Sequence, residues 1–237
     1  MRVARLERLD GTKDLIKCYH VNEFQCVWLA REYLSRKGKK SPHKYMKNIA
    51  TFDIESTTIK NVARPYGFMY IWTFRIDNFS IYGNNWSEFT DLLDRLKVYF
   101  NLEDDKRLII WVQNLSFEMQ FMSPFLGAKF GTLEAFATDK RKPIKLTVPD
   151  AGIEFRCTYR LSNMNLDKMC KFEKGMIHRK LKGDLDYSVI RTPKTRLKLQ
   201  EFSYCISDTV TLQEWVKATL VNNDDDFFLC PLRRPAM

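Results

Sequence analysis

Asp53 and Glu55, two carboxylates separated by one residue in Phe52-Asp53-Ile54-Glu55, are the first feature of this chain that could do chemistry. On a β-strand alternate side chains share a face, so the pair would project to one side, about 6–7 Å apart along the strand. Like charges that close repel, and a cation between them would account for the arrangement. An exposed strand end with accidental alternation is the ordinary alternative, and the pair by itself does not displace it. Tyr204 and Asp208 lie four apart in Tyr204-Cys205-Ile206-Ser207-Asp208 and would share one face of a helix. Such pairs are common on solvated helices. A third group, Asn114-Leu115-Ser116-Phe117-Glu118, stands at a strand-to-helix junction, where Ser116 and Glu118 could equally be an ordinary helix start.

These residues need particular elements to position them. A strand over 49–55 would carry the first pair, followed by strands over 66–76 and 79–82 joined at an Asp77-Asn78 turn. Phe89, Leu92, Leu93 and Leu96 recur at helical spacing and predict a helix over 86–100, with Ser87 near its start. The apolar run 107–112 reads as a buried strand, leading into a short helix over 116–126 with Pro124 close to its end. Strand-like pieces around 131–137, 142–148 and 152–158 follow, then a helical stretch near 165–171 and a long final helix over 199–220. Three early strands in a meander, then a helix and a strand, predict an α/β domain with a mixed sheet.

Residues 1–48 are set apart as a basic N-terminal extension. Val21, Phe24, Val27, Trp28 and either Tyr33 or Leu34 recur at helical spacing and predict a short amphipathic helix. The basic run 36–44 that follows is either a solvated linker or a contact with a nucleic-acid backbone. The domain proper is expected over 49–221, with an irregular tail over 222–237 that begins acidic and ends with Arg233-Arg234.

Lys and Arg outnumber Asp and Glu by 39 to 29, a formal charge of +10. That balance points to a polyanionic partner, nucleic acid ahead of a membrane surface. A soluble protein that is simply basic is the plain alternative. The apolar runs are far too short to span a bilayer, and the opening residues mix both charge signs without a leader pattern. Cytoplasmic residence with no membrane partner is therefore expected. The six cysteines, at 18, 26, 157, 170, 205 and 230, form no CxxC pair and have no His partner at zinc spacing. They are expected to be reduced thiols, mostly in the core.

In order, strand Asp-x-Glu, then Asn-x-x-Phe-acid, then Tyr-x-x-x-Asp resemble the three exonuclease motifs of proofreading family-B DNA polymerases. Lys182-Gly183-Asp184-Leu185-Asp186-Tyr187 resembles the Lys-Gly-Asp-Ile-Asp-Tyr segment of the protein-primed phage enzymes, at a similar distance before the third motif. The resemblance covers 48–220. It implies a ribonuclease-H-like fold, a mixed β-sheet flanked by helices, and a metal-dependent 3′→5′ exonuclease acting on single-stranded DNA. If the chain is phage-encoded, the compartment is the host cytoplasm.

On that resemblance Asp53, Glu55 and Asp208 are inner ligands of two divalent ions, Mg²⁺ or Mn²⁺, about 4 Å apart, with Glu118 nearby. Tyr204 orients the attacking water, and Lys182 contacts the scissile phosphate. Asn114 would hydrogen-bond base or sugar edges. Phe117 would stack on or wedge between terminal bases, with core packing as its alternative. Ser56 matches a position that contacts the primer end, with a strand-ending hydroxyl as the competing role. Ser162 aligns with another such contact.

Two departures qualify the resemblance. Glu118 stands where the pattern usually has Asp, which lengthens the arm by one methylene. A whole polymerase of this type also needs several hundred further residues for palm, fingers and thumb. The chain is thus expected not to polymerise DNA alone, and a separate polymerase subunit or a terminal protein would be its partner. Two other classes stay open: a catalytically weak or inactive module that binds single-stranded DNA or a replication partner, and an RNA-directed nuclease of the same superfamily.

Overall fold

The computed structural model describes residues 1–34, 43–60, 62–139, 142–181, 183 and 185–222. Lys182, most of the basic run 36–44, Cys230 and the tail from 223 onward lie outside the described residues.

Alternation builds the central strand, β4 (Ala50–Ile59). Its Phe52 and Ile54 enter an apolar core on one side. On the other side Thr51 Oγ1 donates to the Thr209 carbonyl at 2.8 Å, and Thr57 Oγ1 accepts from Arg191 N at 3.0 Å. Asp53 and Glu55 share that second face because side chains two apart along a strand do. β4 pairs antiparallel with β5 (Tyr66–Ile76) and parallel with β7 (Lys106–Val112). β5 turns through Asp77, at φ 50°, into antiparallel β6 (Phe79–Gly83).

Beyond β7 the sheet continues with β10 (Ile153–Cys157), parallel to it, and then antiparallel β9 (Pro143–Val148) and β8 (Glu134–Ala137). Beyond β6 come β2 (Lys13–His20), parallel to it, and antiparallel β1 (Arg2–Glu7). The strand order is β1-β2-β6-β5-β4-β7-β10-β9-β8, with the two-residue β3 (Lys44–Tyr45) beside β7.

Helices cover both faces. α1 (Trp86–Phe100) and α2 (Leu115–Phe130) set Phe89, Leu92, Leu96, Met122 and Leu126 against Phe52 and Ile54. On the opposite face, α4 (Leu166–Phe172) and α5 (Leu199–Asn222) place Met169, Leu212 and Trp215 over Ile109 and Trp111. The first half of α5 packs Phe202, Cys205 and Ile206 against Ala4, Leu6 and Ile71. A short α3 (Thr158–Ser162) follows β10 directly.

One helix boundary is corrected, the end of α2. The helix over 86–100 forms as expected with Ser87 near its start, and Asn85 caps it: the Asn85 side chain accepts from Glu88 N while the Glu88 side chain reaches back to the cap. α2 continues past Pro124 to Phe130 and stops at Gly131, whose φ is 82°. A proline removes one backbone donor, and Met122, Leu126 and Phe130 anchor both sides of it in the core.

The described residues of the N-terminal extension contain no α-helix. Residues 1–20 form the β1–β2 hairpin at the edge of the same sheet, and the stretch read as a helix contains a single 3₁₀ turn, Cys26–Trp28. Its apolar residues are placed by aromatic contacts instead. Trp28 stacks on Phe79 at 5.7 Å between centroids and meets Phe24 edge-on at 5.6 Å, while Val27 stays exposed. Cys18, Cys26, Cys157, Cys170 and Cys205 are all free thiols. Among the described residues, no helix is long and apolar enough to cross a membrane.

Candidate active site

β7 ends at Val112, opposite Phe52 of β4, so from Asp53 onward β4 has β5 on one side and an open edge on the other. The chain leaving β7 turns through Gln113 and Asn114 into α2, whose first turn brings Phe117 and Glu118 beside that edge. From the other face α5 crosses β4 at Thr209 and presents Tyr204 and Asp208, one turn apart. Here three elements meet around a cleft of about 420 Å³ lined by Asp53, Glu55, Ser56, Phe117, Glu118, Lys180, Tyr187, Tyr204 and Asp208. Thr58 and Lys60 extend its wall along β4. A larger hollow around Trp86 and Phe125 is mostly apolar, presents Lys129 as its one charge, and offers no comparable chemistry.

One carboxylate oxygen from each of Asp53, Glu55 and Asp208 lies within 4.8 Å of the others. A single Mg²⁺-sized ion bonded at about 2.1 Å places adjacent oxygens about 3 Å apart and opposite ones about 4.2 Å apart, so the three side chains would close in on a bound ion. Burial, then the Asp208 charge, pushes the Asp53 carboxyl up to about 8. Burial, then Asp53 and Asp208, raises Glu55 well above its ordinary range. Glu118, only 3% exposed, is raised by burial and next by Asp53. Asp208 is raised by burial and pulled back by Lys180.

Oδ1 of Asp208 and Oε2 of Glu118 are buried with no hydrogen-bond partner among the described residues. Buried unpaired acceptors are costly, and an all-oxygen set of carboxylate ligands suits a hard divalent cation. The residues present therefore fit such an ion.

Two further groups complete the cleft. The Tyr204 hydroxyl stands 3.2 Å from that of Tyr187, and burial pushes Tyr204 up to about 12, so its phenol keeps its proton. Lys180 Nζ donates to Asp208 Oδ2 at 2.7 Å and sits 5.6 Å over the Tyr204 ring. The segment bearing Lys180 is tied down on both sides. Before it, the backbone N–H groups of Ile177 and His178 donate to Glu214 Oε2 of α5, and the His178 ring bridges Glu214 and Asp14. After it, Leu181 N donates to Ser207 Oγ at 3.2 Å. Buried Arg191 holds the loop that carries Tyr187: it donates to the carbonyls of Asp186 and Val189 and to Glu201 of α5.

Of the residues singled out in the sequence, Asp53, Glu55, Ser56, Phe117, Glu118, Tyr204 and Asp208 converge on this cleft. Asn114 and Ser162 do not line it. Asn114 is exposed at the N-cap of α2 without a side-chain cap bond. Ser162 spends its hydroxyl on Thr158 O at 2.9 Å and on Met164 N at 3.1 Å. Lys182 is outside the described residues. Sequence reasoning missed Lys180, Thr58, Lys60 and the anchor Arg191. Tyr187 closes the six-residue segment already quoted, which was signal enough to include it. For Lys180 the lone hint is its place just before that segment.

No family model matches the chain, and no curated protein does. Solved structures of Phi29 DNA polymerase are similar in fold. The complex with primer-template DNA and incoming nucleotides superposes at a TM-score of 0.59 with 14% identity, covering 75% of this chain and 31% of that one. The post-translocation complex with primer-template DNA gives 0.60, 16%, 76% and 32%. The complex with single-stranded DNA gives 0.60, 14%, 75% and 32%. The chain thus spans about a third of the length of those polymerase chains. At this identity the likeness establishes the fold, an α/β architecture with a mixed sheet flanked by helices, as in ribonuclease-H-like domains.

Proposed function

We propose that this chain, which shares its fold with part of a DNA polymerase, is a divalent-metal-dependent 3′→5′ exonuclease domain for single-stranded DNA. The observation that carries the reading is the clustering of Asp53, Glu55 and Asp208 within 4.8 Å, beside the buried, unpartnered Glu118 oxygen and the Tyr204 hydroxyl. Asp53, Glu55 and Asp208 would hold one Mg²⁺ or Mn²⁺, and Glu118 would stand toward a second. Such ions supply a more acidic water and neutralise charge on the attacking and leaving oxygens.

The protein's own groups do the rest. Tyr204 holds the water in line with phosphorus by hydrogen bonding, since a phenol that keeps its proton is a positioner and not a base. Attack by the water oxygen breaks the P–O3′ bond, releasing a nucleoside 5′-monophosphate and a new 3′-hydroxyl. Phe117, 38% exposed at the cleft mouth, stacks on the terminal base, and Ser56 bonds the strand end. Lys182 contacts the scissile phosphate, and Asn114 bonds a base or sugar edge beyond the cleft. A polymerase subunit or terminal protein would act beside the domain in replication.

A second reading, a module that holds single strands without cutting them, is favoured by the Lys180–Asp208 pair, which gives the acids a positive charge without metal. End-labelled DNA and RNA incubated in parallel with Mg²⁺, Mn²⁺ or EDTA separates the readings. Stepwise, metal-dependent shortening of DNA from its 3′ end supports the exonuclease. Binding without shortening supports the module, and preferential loss of RNA supports a ribonuclease.

A further inference from the structure

The two oxygens of Asp208 stand in different surroundings. Oδ2 receives the Lys180 ammonium at 2.7 Å, while Oδ1 is buried with no hydrogen-bond partner among the described residues. The side chains of this pair are 21% and 13% exposed, so solvent screens them weakly. Lys180 also lines the cleft beside Asp53 and Glu55, and the backbone at His178 before it and at Leu181 after it is bonded to α5. An ammonium held this firmly cannot swing away at the low cost usual for a surface lysine.

We propose that Lys180 is a built-in counter-ion that keeps the carboxylate cage assembled without metal and sets how tightly, and how fully, that cage takes divalent ions. The inference rests on the metal-site reading above and adds a residue that tunes it. Its logic is electrostatic. A positive charge on one oxygen of a ligand carboxylate repels an incoming divalent ion and withholds that oxygen from coordination. Without metal the same charge offsets the mutual repulsion of Asp53, Glu55 and Asp208. Lys180 is thus a positioning residue acting through Asp208, and its removal should tighten metal binding. Loss of a merely structural residue would loosen it.

The test is Mn²⁺ binding by the full chain, read as loss of the free-ion paramagnetic resonance signal, for wild type, Lys180→Met and Lys180→Arg. We expect Lys180→Met to bind the ion roughly tenfold more tightly or more, or to take up an additional ion, as expected when a like charge leaves the site. The same variant should melt at lower temperature than wild type in EDTA and regain the difference in Mn²⁺. Lys180→Arg, which keeps the charge, should bind Mn²⁺ like wild type. Equal or weaker binding by Lys180→Met overturns the proposal while leaving the metal site standing. If Lys180→Met folds too poorly to measure, Lys180→Gln is read by the same criterion. Absence of Mn²⁺ binding by wild type and every variant overturns the metal-site reading and this inference together. Binding only by the charge-removed variants supports the inference in its strongest form.

Discussion

Asp53, Glu55 and Glu118 are driven away from ionisation by burial and by neighbouring carboxylates, Asp208 by burial, and a divalent cation reverses that preference. For Asp53 the folded-state value of about 8 lies above its ordinary 3.8. Between those values the folded chain binds more protons than the unfolded chain. The contribution of Asp53 is therefore favourable at low pH and is lost as pH rises from about 4 to about 8. Metal-free protein should lose stability over that window, and saturating Mn²⁺ should remove most of the loss. Urea titrations at the two ends, with and without Mn²⁺, check this, and Asp53→Asn should flatten the metal-free slope. A slope that metal leaves untouched would contradict a shared cation site. Tyr204→Phe deletes only a hydroxyl, so folding and strand binding should persist while turnover drops about a hundredfold or more. Turnover at the parent rate would remove the water-positioning role. Glu118 tests the methylene by which this site departs from the usual pattern. Mg²⁺ keeps several waters, so a ligand acting through one of them has slack. Glu118→Ala and Glu118→Gln should lose most activity, and Glu118→Asp should retain a measurable part. Hydrolysis by Glu118→Ala at the parent rate would reduce Glu118 to a helix-start residue.

What positions these residues divides into elements with a period and segments without one. Asp53 with Glu55 and Tyr204 with Asp208 were legible because strand and helix periodicities fix which neighbours share a face. The β4–β5–β6 meander, α1 and β7 were legible for the same reason. The β1–β2 hairpin was not. Its charged residues lie on a strand pair at the sheet edge, where alternation is masked by polar side chains on both faces. The described residues from 173 to 198 form no helix or strand, so nothing local announces that Lys180 meets Asp208 across 28 residues or that Arg191 meets Thr57 across 134. Those long-range bonds shape the cleft wall. Arg191 and Glu201 form a largely buried ion pair at 2.6 Å, and removing one partner of such a pair costs about 3–5 kcal/mol. Arg191→Met should lose stability of that order in denaturant melts and become susceptible to protease near residues 186–190. Unchanged melting and cleavage would mean the loop is held by other contacts.

Across the whole molecule, the sheet gathers residues distant in sequence at the point where β4 outruns β7, and a chain of charge +10 surrounds an acidic centre. A basic exterior would attract phosphates that the acidic centre repels until metal is bound. If that surface tracks a nucleic-acid backbone, single-strand affinity should fall linearly in log salt, with a slope of about −0.7 per neutralised phosphate. Fluorescence anisotropy of a labelled oligonucleotide across moderate salt measures this slope. Affinity indifferent to salt would assign the basic surface another purpose.

The central claim is that the Asp53 and Glu55 carboxylates hold the metal that cuts the strand, separately from the surface that binds it. The most direct measurement is made on one oligonucleotide carrying a 5′ label, comparing wild type with the Asp53→Ala, Glu55→Ala double variant in Mn²⁺. Wild type should produce a ladder of progressively shorter labelled products. The double variant, like wild type in EDTA, should leave the strand intact while still shifting it in a binding gel. A ladder from the double variant, or an intact strand from wild type in Mn²⁺, would contradict the account.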